Sequence, residues 1–241
     1  MLLSARGLVP LMLVLGACGG GDDLDGLAVS GEAFLFNGGP GLEGRVANAT
    51  VTVVEHPDRQ VTTAEDGHFG FDGFATGDQV TLALELANHH RIQTSTITLG
   101  ADAIERVTFQ VVHDAIYTLL GDMLAITPDE ANRCQVVTTV TRIGRSLYDP
   151  GAHGEGGATV TIDPPTGAEG PIYFNASVLP DRTLTETSED GGVLFIQVPP
   201  GVYTLTATKL GVTFRPVTVT CRAGWLVNAS PPWGLQAIEP T

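Results

Sequence analysis

Thr63-Ala64-Glu65-Asp66-Gly67 recurs as Thr187-Ser188-Glu189-Asp190-Gly191, and upstream of each stands a second shared phrase. That phrase is Ala49-Thr50-Val51-Thr52-Val53 in the first copy and Ala158-Thr159-Val160-Thr161-Ile162 in the second. Its strict alternation puts Val51 and Val53, and likewise Val160 and Ile162, on one face of a half-buried strand. The Asp-Gly pairs mark tight turns. Gly67 and Gly191 adopt φ > 0 without a Cβ clash, while the Asp66 and Asp190 carboxylates accept hydrogen bonds from nearby backbone N–H groups. After each Asp-Gly come an apolar strand, a Gly (Gly77 or Gly201) and an alternating strand, Val80–Leu86 or Tyr203–Ala207. In Val80–Leu86 the even positions are apolar, with Thr81 and Glu85 facing away. The chain reads as two tandem β domains.

The alternation spreads outward from these phrases. Further short strands are expected near Ala28–Phe36, Gln60–Thr63, His68–Phe71, Thr94–Leu99 and Glu105–Val112. From position 49 to 158 the offset is 109 residues, and from 63 to 187 it is 124, so the second copy carries 15 extra residues, placed at Pro164–Pro180. The domains span residues 28–112 and 134–229, joined by a connector at 113–133 and followed by a C-terminal tail at 230–241. Within the connector, Asp114–Ile126 is apolar without alternation and reads as helical. Thr127-Pro128-Asp129-Glu130 matches a capping box, a Thr N-cap with Pro at the first helical position and Glu three residues on, and predicts a short second helix.

Residues 1–17, MLLSARGLVPLMLVLGA, read as a secretory leader: Arg6 is the positive n-region and Leu8–Leu15 the apolar stretch. The stretch is shorter than the roughly 20 apolar residues of a bilayer-spanning helix. Leu15-Gly16-Ala17-Cys18 looks like a lipobox, the motif in which small residues precede a cysteine that receives a diacylglyceryl group. Cys18 is therefore the expected lipidation site, and residues 18–27, rich in Gly and Asp, the flexible tether beyond it. This places the chain in a cell envelope. Gly19, where an inner-membrane retention signal would have Asp, favours the outer membrane. The net charge of −15, or −16 once Arg6 leaves with the leader, repels phosphate backbones and argues against nucleic-acid partners.

Ala158–Thr161, Glu189-Asp190-Gly191 and Val198-Pro199-Pro200-Gly201-Val202-Tyr203-Thr204-Leu205-Thr206-Ala207 resemble the carboxypeptidase regulatory-like domain. Val46–Leu86 is similar, but has Thr76-Gly77 where that family prefers Pro-Gly, and Val80 where its Tyr stands. The resemblance implies an all-β fold class, two transthyretin/Ig-like sandwiches with a short helical connector, and an accessory module rather than a peptidase. A zinc carboxypeptidase needs the spacing H-x-x-E, and none of the six histidines is followed by Glu three residues on.

Two cysteines remain beyond Cys18. Cys134 shares strand parity with Val136 and Val140, and Cys221 with Val217 and Val219, so both thiols face the interior of the second sandwich. Outside the cytoplasm they are expected to form a disulfide. Closing a span of 87 residues stabilises by about 4–5 kcal/mol in the chain-entropy model. A metal site is the rival, and two thiols without a neighbouring His make a poor one. The pair His89-His90, together with His68, is expected to be solvent-exposed turn histidines rather than metal ligands. Glu65-Asp66 and Glu189-Asp190 read as turn residues rather than catalytic pairs. No nucleophile elbow, HExxH or P-loop is present.

Chemistry is otherwise sparse: no cofactor and no metal are implied. Phe69, Phe71, Tyr203 and Phe214 belong to cores, which leaves Trp225 and Trp233 as the candidate ligand-binding aromatics, although packing against the second domain is the favoured reading of both. The leading expectation is a non-enzymatic envelope lipoprotein presenting two modules for protein interaction or structural spacing. A carbohydrate-binding module holding polysaccharide and an accessory subunit of a secreted enzyme are the alternatives.

Overall fold

A computed structural model describes residues 26–36, 44–145 and 153–238. The leader, Cys18 and the tether up to residue 25 lie outside the described residues. In the first sandwich, β1 (Leu27–Leu35) runs antiparallel to β4 (His68–Phe74) and parallel to β9 (Ile104–Val111). The opposing layer pairs β2 (Thr50–Val53) with β3 (His56–Thr62) and β6 (Leu82–Glu85), and β6 in turn with β7 (Ile92–Thr94). Val51, Val53, Leu82 and Leu84 meet Val29, Phe69, Phe71 and Phe109 in one core. The minor pair β5 (Gln79–Val80) and β8 (Ile97–Thr98) closes one end.

The second sandwich repeats the plan. One layer is β11 (Thr159–Asp163), β15 (Gly201–Thr208) and β17 (Val217–Cys221). The other runs β13 (Pro180–Asp181), β12 (Glu169–Phe174), β14 (Gly192–Val198), β10 (Cys134–Thr141) and β18 (Leu226–Asn228). Cys134, Val136, Phe195, Tyr203, Leu205 and Val219 share its core. Cys134 and Cys221 form a disulfide across it, with Cα atoms 5.8 Å apart.

The repeated phrases are two halves of one lock. Thr63 Oγ1 accepts from Ala49 N at 2.9 Å, and Thr187 Oγ1 accepts from Ala158 N at 2.9 Å. The reverse backbone bonds, Thr63 N to Ala49 O and Thr187 N to Ala158 O, complete each pair. Gly67 and Gly191 both sit at φ +78°, and a Cβ would stand 2.6 Å from Ala33 O or 2.3 Å from Val140 O. A side chain is thus excluded twice, by dihedral and by space. Asp66 Oδ1 accepts from His68 N, and Asp190 Oδ2 from Gly192 N.

The structure departs from the sequence reading at several places, one being His90, which is 8% exposed rather than in solvent. Thr81 does not face solvent: it is 1% exposed, interrupts the predicted Val80–Leu86 strand, and shares its hydroxyl with Thr96, which reaches Thr220 of the second sandwich. The predicted second connector helix is absent. Asp129 N is taken by Gln197 Oε1, while Asn132 N and Arg133 N both bond back to Asp129 O, so 127–133 is a turn. The extra residues of the second copy build a strand that changes layer. Where β3 stays beside β2, β12 crosses to pair with β14. Residues 235–238, read as tail, form β19 (Leu235–Ile238), which pairs with β10 and with β16 (Thr213–Phe214).

Thr187→Val keeps the shape but strands the buried Ala158 N–H. It is expected to cost about 1–3 kcal/mol in chemical denaturation, and Thr187→Ser to recover most of that loss. Equal losses in both variants would show that the methyl, not the hydroxyl, holds the turn.

Candidate functional site

Strand β18 joins the two sandwiches into one sheet. It pairs in parallel with β10 on one side and with β7 on the other, Val227 standing opposite both Val136 and Gln93. Its backbone bonds alternate between them: Leu226 N donates to Arg91 O at 2.9 Å, Trp225 O accepts from Gln135 N at 3.1 Å, and Ala229 N donates to Val137 O at 2.7 Å. Successive strand residues point to opposite faces. Leu226 accordingly packs in the first core and Val227 in the second. The two sandwiches therefore lie on opposite faces of a shared sheet.

Polar groups seal the seam. The Gln93 amide is fully buried. It donates to Thr220 O at 2.6 Å and accepts from Arg222 Nε at 2.6 Å. Thr96 N donates to Thr218 O at 3.0 Å. Arg222 lies 3.9 Å above the Trp225 ring, and Arg91 stands 5.2 Å away. Trp225, one of the two candidate ligand-binding aromatics, is only 8% exposed and offers no platform for a sugar. Trp233 is 42% exposed, in the turn before β19. The two indoles do different work.

Because the second sandwich's partner layer covers only one face of β10, β14 and β18, the opposite face needs another cover. Helix α1 (Asp114–Met123) provides it. Its N-terminus is pinned by the histidines: His113 Nδ1 accepts from Ala115 N at 3.2 Å, His89 meets the His113 ring edge-on, and His90 stacks on Tyr117 at 3.6 Å. Beyond its C-terminus, Arg182 donates to Leu124 O at 3.3 Å, and Gln197 Nε2 to Thr127 O at 3.1 Å. Held at both ends, the helix buries none of its own residues fully. A cavity of about 120 Å³ remains between it and the sheet.

His68, exposed on β4, takes no part in this cluster; among the described residues no group of three His, Cys, Asp or Glu side chains could hold a metal ion. The Asp66 and Asp190 carboxylates are committed to their own turns, and burial pushes the Asp190 carboxyl up. Sequence reasoning missed Gln93, Gln135 and Tyr117. The one available signal was in β10 and β14: Cys134–Thr141 and Val193–Ile196 are buried on nearly every residue instead of every second one, as befits strands covered on both faces.

No protein-family model matches the chain, and no curated protein matches it in sequence. Among solved structures, the Bacillus anthracis TIE protein is similar at 13% identity over 84% of this chain and 33% of that one, with a TM-score of 0.25. The chain thus spans about a third of that protein's length. GBS52, the minor pilin of Streptococcus agalactiae, is similar at 10% identity over 89% of this chain and 97% of that one, with a TM-score of 0.28. The shaft pilin SpaA from Lactobacillus rhamnosus GG gives 10% identity, coverages of 89% and 99%, and a TM-score of 0.23. Likenesses of this size carry no argument about function. The sandwich fold stands on the strand pairing itself.

Burial lowers the pKa of His90 to about 4, Arg91 adding to the effect and Asp114 opposing it. The unfolded chain, with an ordinary value of about 6.5, takes up this proton first as the pH falls. The stability is therefore whole above pH ~6.5 and is lost as the pH drops toward 4. Between pH 7.5 and 5 this residue alone is expected to account for about 2 kcal/mol of lost stability. His90→Phe, which keeps a ring on Tyr117, is expected to show a pH dependence shallower by that amount in urea titrations. An unchanged slope would refute the assignment.

Proposed function

We propose that the chain is a non-enzymatic, lipid-anchored envelope protein whose two β-sandwiches act as one stiff body, spacing or presenting a protein contact outside the cell. The observation that carries this reading is the shared strand. Modules that move independently are joined by linkers with few contacts across them, whereas here three residues of β18 hydrogen-bond to both halves. Bending at the junction would break sheet hydrogen bonds and expose the Gln93 amide.

The apolar leader, the Cys18 motif and the Cys134–Cys221 disulfide support an extracytoplasmic location, since disulfides persist in oxidising compartments. Gly19 favours the outer membrane over the inner. Both sandwiches belong, on this reading, with the carboxypeptidase regulatory-like modules. Their Asp-Gly turns are structural, which supports a role without catalysis.

A stiff body is expected to unfold in one calorimetric transition with equal calorimetric and van't Hoff enthalpies. Gln93→Leu, which leaves Arg222 and Thr220 O without their partner, is expected to lower stability by about 1–3 kcal/mol. Two resolved transitions in the wild type would sink the stiff-body reading. The anchor is tested separately. Cells expressing the full chain are expected to incorporate labelled palmitate into it, and Cys18→Ser to abolish the label; a label that survives the substitution rules out Cys18.

A further inference from the structure

We propose that the slot between α1 and the shared sheet binds the alkyl chain of a small, uncharged single-chain amphiphile, with a hydroxyl or carbonyl head held by Asn228 and Gln110.

The slot is elongated. Its floor is drawn from neighbouring strands, with Phe174 on β12, Ile196 on β14, Val137 on β10, Leu226 on β18 and Ile92 on β7. At about 4.8 Å per strand, that floor runs roughly 19 Å across the sheet. Its roof is the inner face of α1, where Leu120 and Tyr117 stay half-buried. A helix that only filled a gap would settle onto the sheet and bury this face. Here the helix is tied at both ends and leaves a cavity, beneath which two apolar clusters share Val137. Apolar cavities of ~150 Å³ stay dry and take up apolar guests, and this one is of that order at about 120 Å³.

The lining also says which guest. No charged side chain contributes to it. An ionised head would therefore be desolvated without a partner, which disfavours fatty acid anions and cationic lipids. Gln135 Oε1 is already committed, accepting from Gln197 N at 2.9 Å, and its side chain lies beside the Tyr117 hydroxyl. Asn228 differs. Its Oδ1 accepts from Ser230 N at 3.1 Å, but its Nδ2 approaches Gln110 Oε1 at only 3.5 Å, where a hydrogen bond is weak. That amide has donor capacity for a ligand oxygen. It lies on the first-sandwich side of the slot, and the side toward Phe174 is apolar.

The test uses the chain from Cys18 to Thr241, since every contact described here lies within residues 26–238. It is titrated calorimetrically with 1-hexanol, 1-octanol and 1-decanol. We expect saturable binding at one site, tightening about fourfold per added methylene. Decanoate at pH 8 is expected to bind at least tenfold more weakly than decanol. Leu120→Trp fills the slot from the roof and Val137→Phe from the floor, and each is expected to weaken decanol binding at least tenfold while leaving the β-sheet circular dichroism intact. If one variant fails to fold, the other decides. Absence of saturable decanol binding, or equal binding in a folded filled variant, overturns the site. Decanoate binding as tightly as decanol overturns the uncharged head.

Discussion

The parallel pairing of three residues, Leu226–Asn228, with both β7 and β10 is the constraint on which the rest of the structure depends. A strand alternates its side chains by two, so a single strand can serve two cores only if they lie on opposite faces. Leu226 and Val227 do this as neighbours. Once β18 is in place, the relative position of the sandwiches follows, and so does the burial of Gln93 and of Thr81. The Gln93 amide, the Thr96 hydroxyl and Arg222 Nε find partners across the seam, as low-dielectric surroundings require, while Arg222 Nη2 is buried without one.

The same constraint creates the need for α1. Placing the two partner layers on opposite faces leaves the back of β10 and β14 bare, and bare apolar sheet is costly in water. The connector between the copies has to pass that face in any case, and it covers the face as a helix. It is tied by histidines at one end and by Arg182 and Gln197 at the other. Its apolar inner side meets the sheet incompletely, and a slot with an uncharged lining results.

The duplicated phrases served folding rather than chemistry. A buried threonine hydroxyl, an Asp that accepts from the second residue on, and a glycine at φ +78° recur in both copies with near-identical geometry. The second copy then tolerated 15 extra residues because they leave from the strand after the first phrase and rejoin before the second. They moved a strand from one layer to the other without disturbing the lock.

Period-two alternation and two Asp-Gly turns were enough to read an all-β chain of two tandem domains from sequence, because those signals are local and backbone-driven; that each domain is a sandwich came from the family resemblance. The parity of Cys134 and Cys221 likewise placed both sulfurs inside one core, as their disulfide requires. Asp114–Ile126 lacked alternation and proved helical over Asp114–Met123. What sequence did not carry was any relation between residues whose contacts arise only when the halves meet. Thr81 was read as outward because its neighbours alternate, and it is buried because Thr96 and Thr220 arrive from elsewhere. Trp225 packs, as favoured, but what it packs against, Arg222, was not legible. The capping box at Thr127–Glu130 lost to Gln197, some 70 residues away along the chain. Local chemistry determined the elements. Which faces remained bare, and hence where a helix and a slot would form, was decided by the register of one three-residue strand.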